Sequence, residues 1–123
     1  MANRAKGGGY EECGPGNNYP SCKIKFADID NIHAVTSCYN NLFKLAYGEP
    51  KDAQAYLLEL DKSGYRQMLQ MVLIGTNDVL NAMTKEPFEN IVVHCSDGWD
   101  RTSQISALVQ LMLDPYYRTF AGF

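Results

Sequence analysis

The chain has 123 residues, 46% hydrophobic and 20% charged, with a net charge of −3. That is the make-up of one ordinary globular domain with a modest core. With no basic block it excludes charge-driven binding to nucleic acid or to an anionic membrane, so an anionic substrate has to be held by local donors.

No stretch approaches the roughly 20 apolar residues that a membrane-spanning helix needs, and residues 1–9 lack the apolar centre of a signal peptide. The cysteines at 13, 22, 38 and 95 form no C-x-x-C pair. Free thiols in a reducing, intracellular compartment are expected. Cys13, Cys22, His33 and Cys38 match no zinc-ligand spacing, so neither a metal nor a cofactor is expected.

Residues 1–22 are rich in Gly, Asn and Pro and read as loop. Residues 23–29 alternate, with Ile24 and Phe26 opposite Lys23 and Lys25, and predict a strand. Asp30 or Asn31 then caps a helix with Ile32, Val35, Tyr39, Leu42, Phe43 and Ala46 on its inner side, stopped at Gly48-Glu49-Pro50. A short helix is expected over residues 52–61, ending at Ser63-Gly64. A longer one follows over 65–83, with an inward stripe of Tyr65, Met68, Leu69, Val72, Val79, Leu80 and Met83. Gly75 weakens its middle by roughly 1 kcal/mol relative to alanine.

The β-branched run at residues 91–93 predicts a strand buried on both faces. After a loop, Ile105, Leu108, Val109, Met112 and Leu113 make a core-facing helical stripe that ends at Asp114-Pro115. A further helical piece is expected over 116–123. The fold class is α/β, with the chemistry between a buried strand and a helix N-terminus.

That loop is His94-Cys95-Ser96-Asp97-Gly98-Trp99-Asp100-Arg101-Thr102. Metal-free hydrolysis of a phosphate monoester needs a thiolate, donors for the equatorial oxygens and an acid for the leaving oxygen. Cys95 is the candidate nucleophile, and Arg101 offers a planar fork of donors. Between them the backbone N–H groups can form an anion nest, reinforced by the following helix N-terminus. Gly98 gives the tight turn its freedom. Such donors should depress the Cys95 pKa. Thr102 is expected to cap the helix and donate toward the leaving thiolate. Asp100 is the chosen general acid, with Asp97 as the alternative. Trp99 is either a pocket wall or core, and His94 either orients the loop or is a satisfied half-buried histidine. A structural cysteine in a strand-to-helix turn leaves this arrangement unexplained. A sulfur-transferase loop gives no reason for the Arg-Thr ending.

The run V-H-C-S-D-G-W-D-R-T-S-Q over 93–104 closely resembles the signature of the myotubularin phosphoinositide 3-phosphatases. Ala2-Asn3-Arg4-Ala5-Lys6-Gly7-Gly8-Gly9-Tyr10-Glu11, Asp30-Asn31-Ile32-His33 and Leu113-Asp114-Pro115-Tyr116-Tyr117-Arg118-Thr119-Phe120 agree with it, the last most like the myotubularin-related branch. The resemblance implies a protein-tyrosine-phosphatase-like α/β fold and removal of the 3-phosphate from phosphatidylinositol 3-phosphate and the 3,5-bisphosphate. It implies Cys95 as nucleophile, Ser96, Asp97, Gly98, Trp99, Asp100 and Arg101 as the phosphate cradle, and Asp100 as acid. It also maps substrate contacts to Asn3, Asn31 and Ile32. From the residues alone, Asn3 reads as loop and Asn31 as a helix cap.

The resemblance further implies a cytoplasmic enzyme at the periphery of endosomal membranes, acting on a lipid headgroup, with no nucleic-acid partner. A dimer, or pairing with an inactive family member, is left open for the full-length protein. Cys95 and Arg101 are both present, as active members require. Thr36 stands where arginine is expected, and Tyr65 where tryptophan is usual. The chain is expected to be part of a phosphatase domain, without the family's upstream membrane-binding module and later catalytic segment. The alternatives are a protein tyrosine or dual-specificity phosphatase, and a non-catalytic fragment.

Overall fold

A computed structural model describes residues 16, 18–49, 52–87 and 90–122. Among them are four α-helices, α1 (Ile32–Tyr47), α2 (Ala53–Lys62), α3 (Tyr65–Thr84) and α4 (Arg101–Leu113), then a 3-10 turn at Pro115–Arg118.

The helix boundaries follow local chemistry. Asn31 Oδ1 accepts from the N–H groups of His33 at 3.0 Å and Ala34 at 3.2 Å, satisfying donors that open α1. Asp52 does the same for α2 through Ala55 N–H at 2.9 Å. Between α2 and α3 the chain reverses at Gly64, whose φ of 76° lies in the left-handed region open to glycine. Asp114 closes α4 and caps the 3-10 turn by accepting from Tyr116 N–H at 2.9 Å. Arg118 reaches back to the α4 carbonyls of Leu111 and Met112, at 3.1 and 3.4 Å.

Helix α3 packs against each of the other three and most extensively against α4. The core is Ile29, Val72, Ile105 and Val109, bordered by Ala27, Met71, Val79, Leu80, Val93 and Leu108. Gly75 has its reason here. A Cβ on it would lie 3.1 Å from Ile105 Cδ1 and 3.2 Å from Ala27 Cβ, so glycine lets α4 and the segment before α1 approach α3 closely.

Several expectations are corrected. Residues 23–29 and 91–93 are extended but form no strand among the described residues, because a strand needs a neighbour's ladder of hydrogen bonds and neither segment has one there. Asp28, at φ 52°, also breaks the alternation expected of 23–29. The run 91–93 is not buried on both faces: Val92 is 86% exposed while Val93 borders the core. On α1 the half-buried side is Ala34, Val35, Cys38, Leu42 and Leu45, whereas Ile32, Tyr39, Phe43 and Ala46 face outward. Leu69, Met83, Met112 and Leu113 are likewise exposed. The last segment yields only the 3-10 turn at Pro115–Arg118 rather than a helix over 116–123.

Candidate active site

Two anchors hold the loop 94–100. Val93 borders the core just before it, and Ile105 and Val109 bury α4 just after it. The seven residues between are therefore drawn into a tight turn. Gly98, at φ 81°, takes the left-handed conformation the turn requires.

The turn brings donors to the sulfur. Gly98 N–H donates to Cys95 Sγ at 3.2 Å. Partial burial pushes the Cys95 thiol up, but the Thr102 hydroxyl and backbone and the backbones of Asp97 and Gly98 outweigh it, and the pKa falls to about 6. Thr102 Oγ1 is buried and completes no hydrogen bond of ordinary geometry. Its proton is thus free to turn toward a thiolate. Thr102 is not the helix cap expected of it: α4 begins at Arg101, and the cap position falls on Asp100.

Arg101 leans back across the loop. Its Nη2 donates to Ser96 Oγ at 3.0 Å, and Ser96 Oγ in turn donates to Asp97 Oδ2 at 3.1 Å. Arg101 Nε is buried and meets no acceptor among the described residues.

The two candidate acids stand in different surroundings. Asp97 is exposed at the loop tip and holds only Ser96. Asp100 is half-buried, and both its carboxylate oxygens accept hydrogen bonds. Oδ1 accepts from Gln104 Nε2 at 3.0 Å, and Oδ2 from Ile32 N–H at 3.2 Å. Its side chain makes no bond to the backbone of its own helix, although Asp100 occupies the α4 cap position. Ser103 Oγ fastens the turn through the carbonyls of Trp99 at 2.8 Å and Asp100 at 2.6 Å.

The structure thus brings Cys95, Ser96, Asp97, Gly98, Asp100 and Arg101 into one loop, and joins Ile32 to it through Asp100. Asn31 adjoins this junction, with its amide oxygen spent on the α1 cap and its amide nitrogen not used there. Trp99 is 65% exposed among the described residues. The His94 ring is exposed and makes no hydrogen bond with a described residue, so neither orienting bonds nor half-burial is seen for it. Thr36 Oγ1 donates to Ile32 O at 2.8 Å, one turn along α1. Asn3 and Cys13 lie outside the described residues; Cys22, Cys38 and Cys95 are free thiols. Gln104 was not singled out from the sequence. Its spacing of four from Asp100, at the start of a helix, is the signal that could have marked it.

No helix among the described residues is long and apolar enough to cross a membrane, and no cluster there could hold a metal ion.

Compared with protein families, the chain matches the myotubularin-like phosphatase domain over residues 1–123. It is 38% identical along its whole length to chicken phosphatidylinositol-3,5-bisphosphate 3-phosphatase MTMR8 and covers 19% of that protein. It is 42% identical to human phosphatidylinositol-3,5-bisphosphate 3-phosphatase MTMR4, covering 10% of it. With mouse phosphatidylinositol-3-phosphate phosphatase MTMR7 the identity is 36%, and 18% of that protein is covered. The chain spans about a fifth or less of the length of these relatives.

Proposed function

The chain belongs to the myotubularin-like phosphatase family, and on that premise we propose that it carries the catalytic loop of a phosphoinositide 3-phosphatase. Relatives at 36–42% identity are named for phosphatidylinositol 3-phosphate and 3,5-bisphosphate. These two lipids are the substrates of this reading. The observation that carries it is the Gly98 N–H directed at Cys95 Sγ at 3.2 Å, within a set of donors that holds the thiol pKa near 6.

The chemistry follows from the loop. The Cys95 thiolate attacks the phosphorus of the 3-phosphate, and the bond from phosphorus to the inositol oxygen breaks. The leaving oxygen takes a proton from Asp100, giving the free hydroxyl and a cysteinyl phosphate. Backbone N–H groups of the loop and the Arg101 fork hold the equatorial oxygens, most strongly as charge shifts in the transition state. An anion there would meet the partnerless Arg101 Nε, whose burial without an acceptor costs about 1–3 kcal/mol. Water then attacks the phosphorus, the Asp100 carboxylate receives its proton, and the sulfur leaves as thiolate, favoured by Thr102. Asn31 supplies a neutral amide donor toward the headgroup, and the α1 N-terminus places it beside the loop. Asn3 is assigned the same kind of contact.

In this reading residues 23–29 and 91–93 are the strand segments of an α/β cysteine-phosphatase domain, and their ladders are completed by parts of the protein outside the described residues. The enzyme works at the cytoplasmic periphery of endosomal membranes, where its lipid is presented.

Phosphate release from both lipids and from phosphotyrosine peptides tests the proposal. The expected result is turnover of the lipids, lost in Cys95→Ser. Equal or faster turnover of the peptides would make the protein a tyrosine phosphatase instead. No turnover of either would leave a binding module.

A further inference from the structure

We propose that Gln104 is a positioning residue that aims the Asp100 carboxylate into the catalytic loop and keeps it from capping its own helix. The inference rests on the reading of Asp100 as the general acid. An aspartate at a helix N-cap ordinarily turns its carboxylate onto the N–H groups two or three residues ahead. Asn31 and Asp52 do so on α1 and α2, and Asp114 does so at the 3-10 turn. Asp100 occupies the same position on α4 and makes no such bond.

Two other contacts compete for the carboxylate. Gln104 Nε2 donates to Asp100 Oδ1 at 3.0 Å, and Ile32 N–H donates to Oδ2 at 3.2 Å. In this contact the Gln104 amide presents its nitrogen to the Asp100 side chain. Gln104 is itself held. Its backbone N–H bonds to Asp100 O at 3.2 Å, and its neighbour Ile105 is buried in the core against α3. The clamp therefore belongs to a rigid element.

Two consequences follow. The acid is held by neutral donors on both oxygens at a fixed place beside the loop. The first-turn N–H groups of α4, which Asp100 would otherwise occupy, stay free for the sulfur and the phosphate; Thr102 N–H is one of them. Without Gln104 the carboxylate would lose its aim, so the step that needs its proton would suffer most.

The test compares two substrates in the purified protein. One is phosphatidylinositol 3-phosphate, whose alkoxide must be protonated as it leaves. The other is an aryl phosphate with a strongly acidic phenol, which needs no proton. Gln104→Met keeps the volume and removes the donor; Gln104→Ala removes both. The expected result is a roughly tenfold fall in kcat on the lipid, the worth of one hydrogen bond to a charged group, with a much smaller fall on the aryl phosphate. Melting temperatures should stay near that of the parent. Asp100→Asn, run alongside, should show the same split more deeply. If Asp100→Asn shows the split and the Gln104 variants slow both substrates equally, or neither, the positioning role is overturned while the acid stands. If Asp100→Asn slows both equally, the acid assignment fails and the role of Gln104 falls with it.

Discussion

The backbone N–H of Ile32 donates to Asp100 Oδ2 at 3.2 Å, across a sequence separation of 68 residues. This one contact ties the first turn of α1 to the loop that carries Cys95 and Arg101. It brings residue 31 close to Asp100, the proposed acid. A change at Asn31 should therefore be felt both in stability and in turnover, and the two can be separated.

Asn31→Ala removes the α1 cap and should lower stability by about 1 kcal/mol, with turnover falling as well. Asn31→Asp keeps a good cap and should leave the melting temperature near that of the parent. The added negative charge beside a phosphorylated headgroup should nevertheless lower kcat/KM on the lipid, and the loss should shrink with added salt. Thermal melts paired with kinetics at two salt concentrations check this. Full activity in Asn31→Asp would remove the asparagine from the substrate contacts.

The Cys95 thiol should titrate near pH 6, the value to which its donors lower it against the opposing effect of burial. The rate of alkylation by iodoacetamide, followed by peptide mass, should rise through that pH and level off above it. The folded pKa is depressed, so the thiolate's contribution to stability is fully present above the unfolded thiol value. It is lost as pH falls through about 6. Thr102→Val removes the hydroxyl donor and should move the alkylation midpoint upward.

Arg101→Lys keeps the charge but loses the fork, and should lower kcat by about 10²–10³-fold, as removal of a transition-state donor does. Ser96→Ala frees Arg101 Nη2 from its 3.0 Å partner. Its effect on kcat should be smaller than that of Arg101→Lys. Steady-state kinetics of both variants on one lipid decide the order.

Gly75→Leu should destabilise the fold by about 1–3 kcal/mol through overpacking, since even a Cβ there meets Ile105 and Ala27 at 3.1 and 3.2 Å. Denaturant unfolding measures it. Because Ile105 lies on α4 just beyond Gln104, some loss of lipid turnover should accompany the loss of stability.

What was legible in the sequence was what is local. Asn31 and Asp52 announce helix starts because a cap needs only the next three residues, and the loop residues act within a few positions of one another. The ends of α2 and α4 were close to expectation because Ser63-Gly64 and Asp114-Pro115 are strong stops. Residues 23–29 and 91–93 carry strand patterns but form no strand among the described residues, because alternation and apolar runs describe a preference, while a strand exists only with a partner. The half-buried face of α1 is rotated from the one that the spacing of Ile32, Tyr39, Phe43 and Ala46 suggests. In fact Phe43 stacks on Tyr47 with ring centroids 4.4 Å apart, on the exposed side. Between Asp100 and Asp97, the sequence favours Asp100 only as the neighbour of Arg101. The contacts of Asp100 with Ile32 and Gln104 distinguish it, and one of them is visible only in three dimensions.

The proposed reaction requires that Cys95 take the 3-phosphate of a phosphoinositide onto its sulfur. The direct measurement is a rapid acid quench of the purified protein with phosphatidylinositol 3-phosphate labelled in the phosphate, followed by mapping of the labelled peptide. The account predicts transient label on the peptide containing Cys95, absent in Cys95→Ser and accumulating when the second step is slowed. Phosphate released at full rate with no label on Cys95, or undiminished turnover in Cys95→Ser, would contradict it.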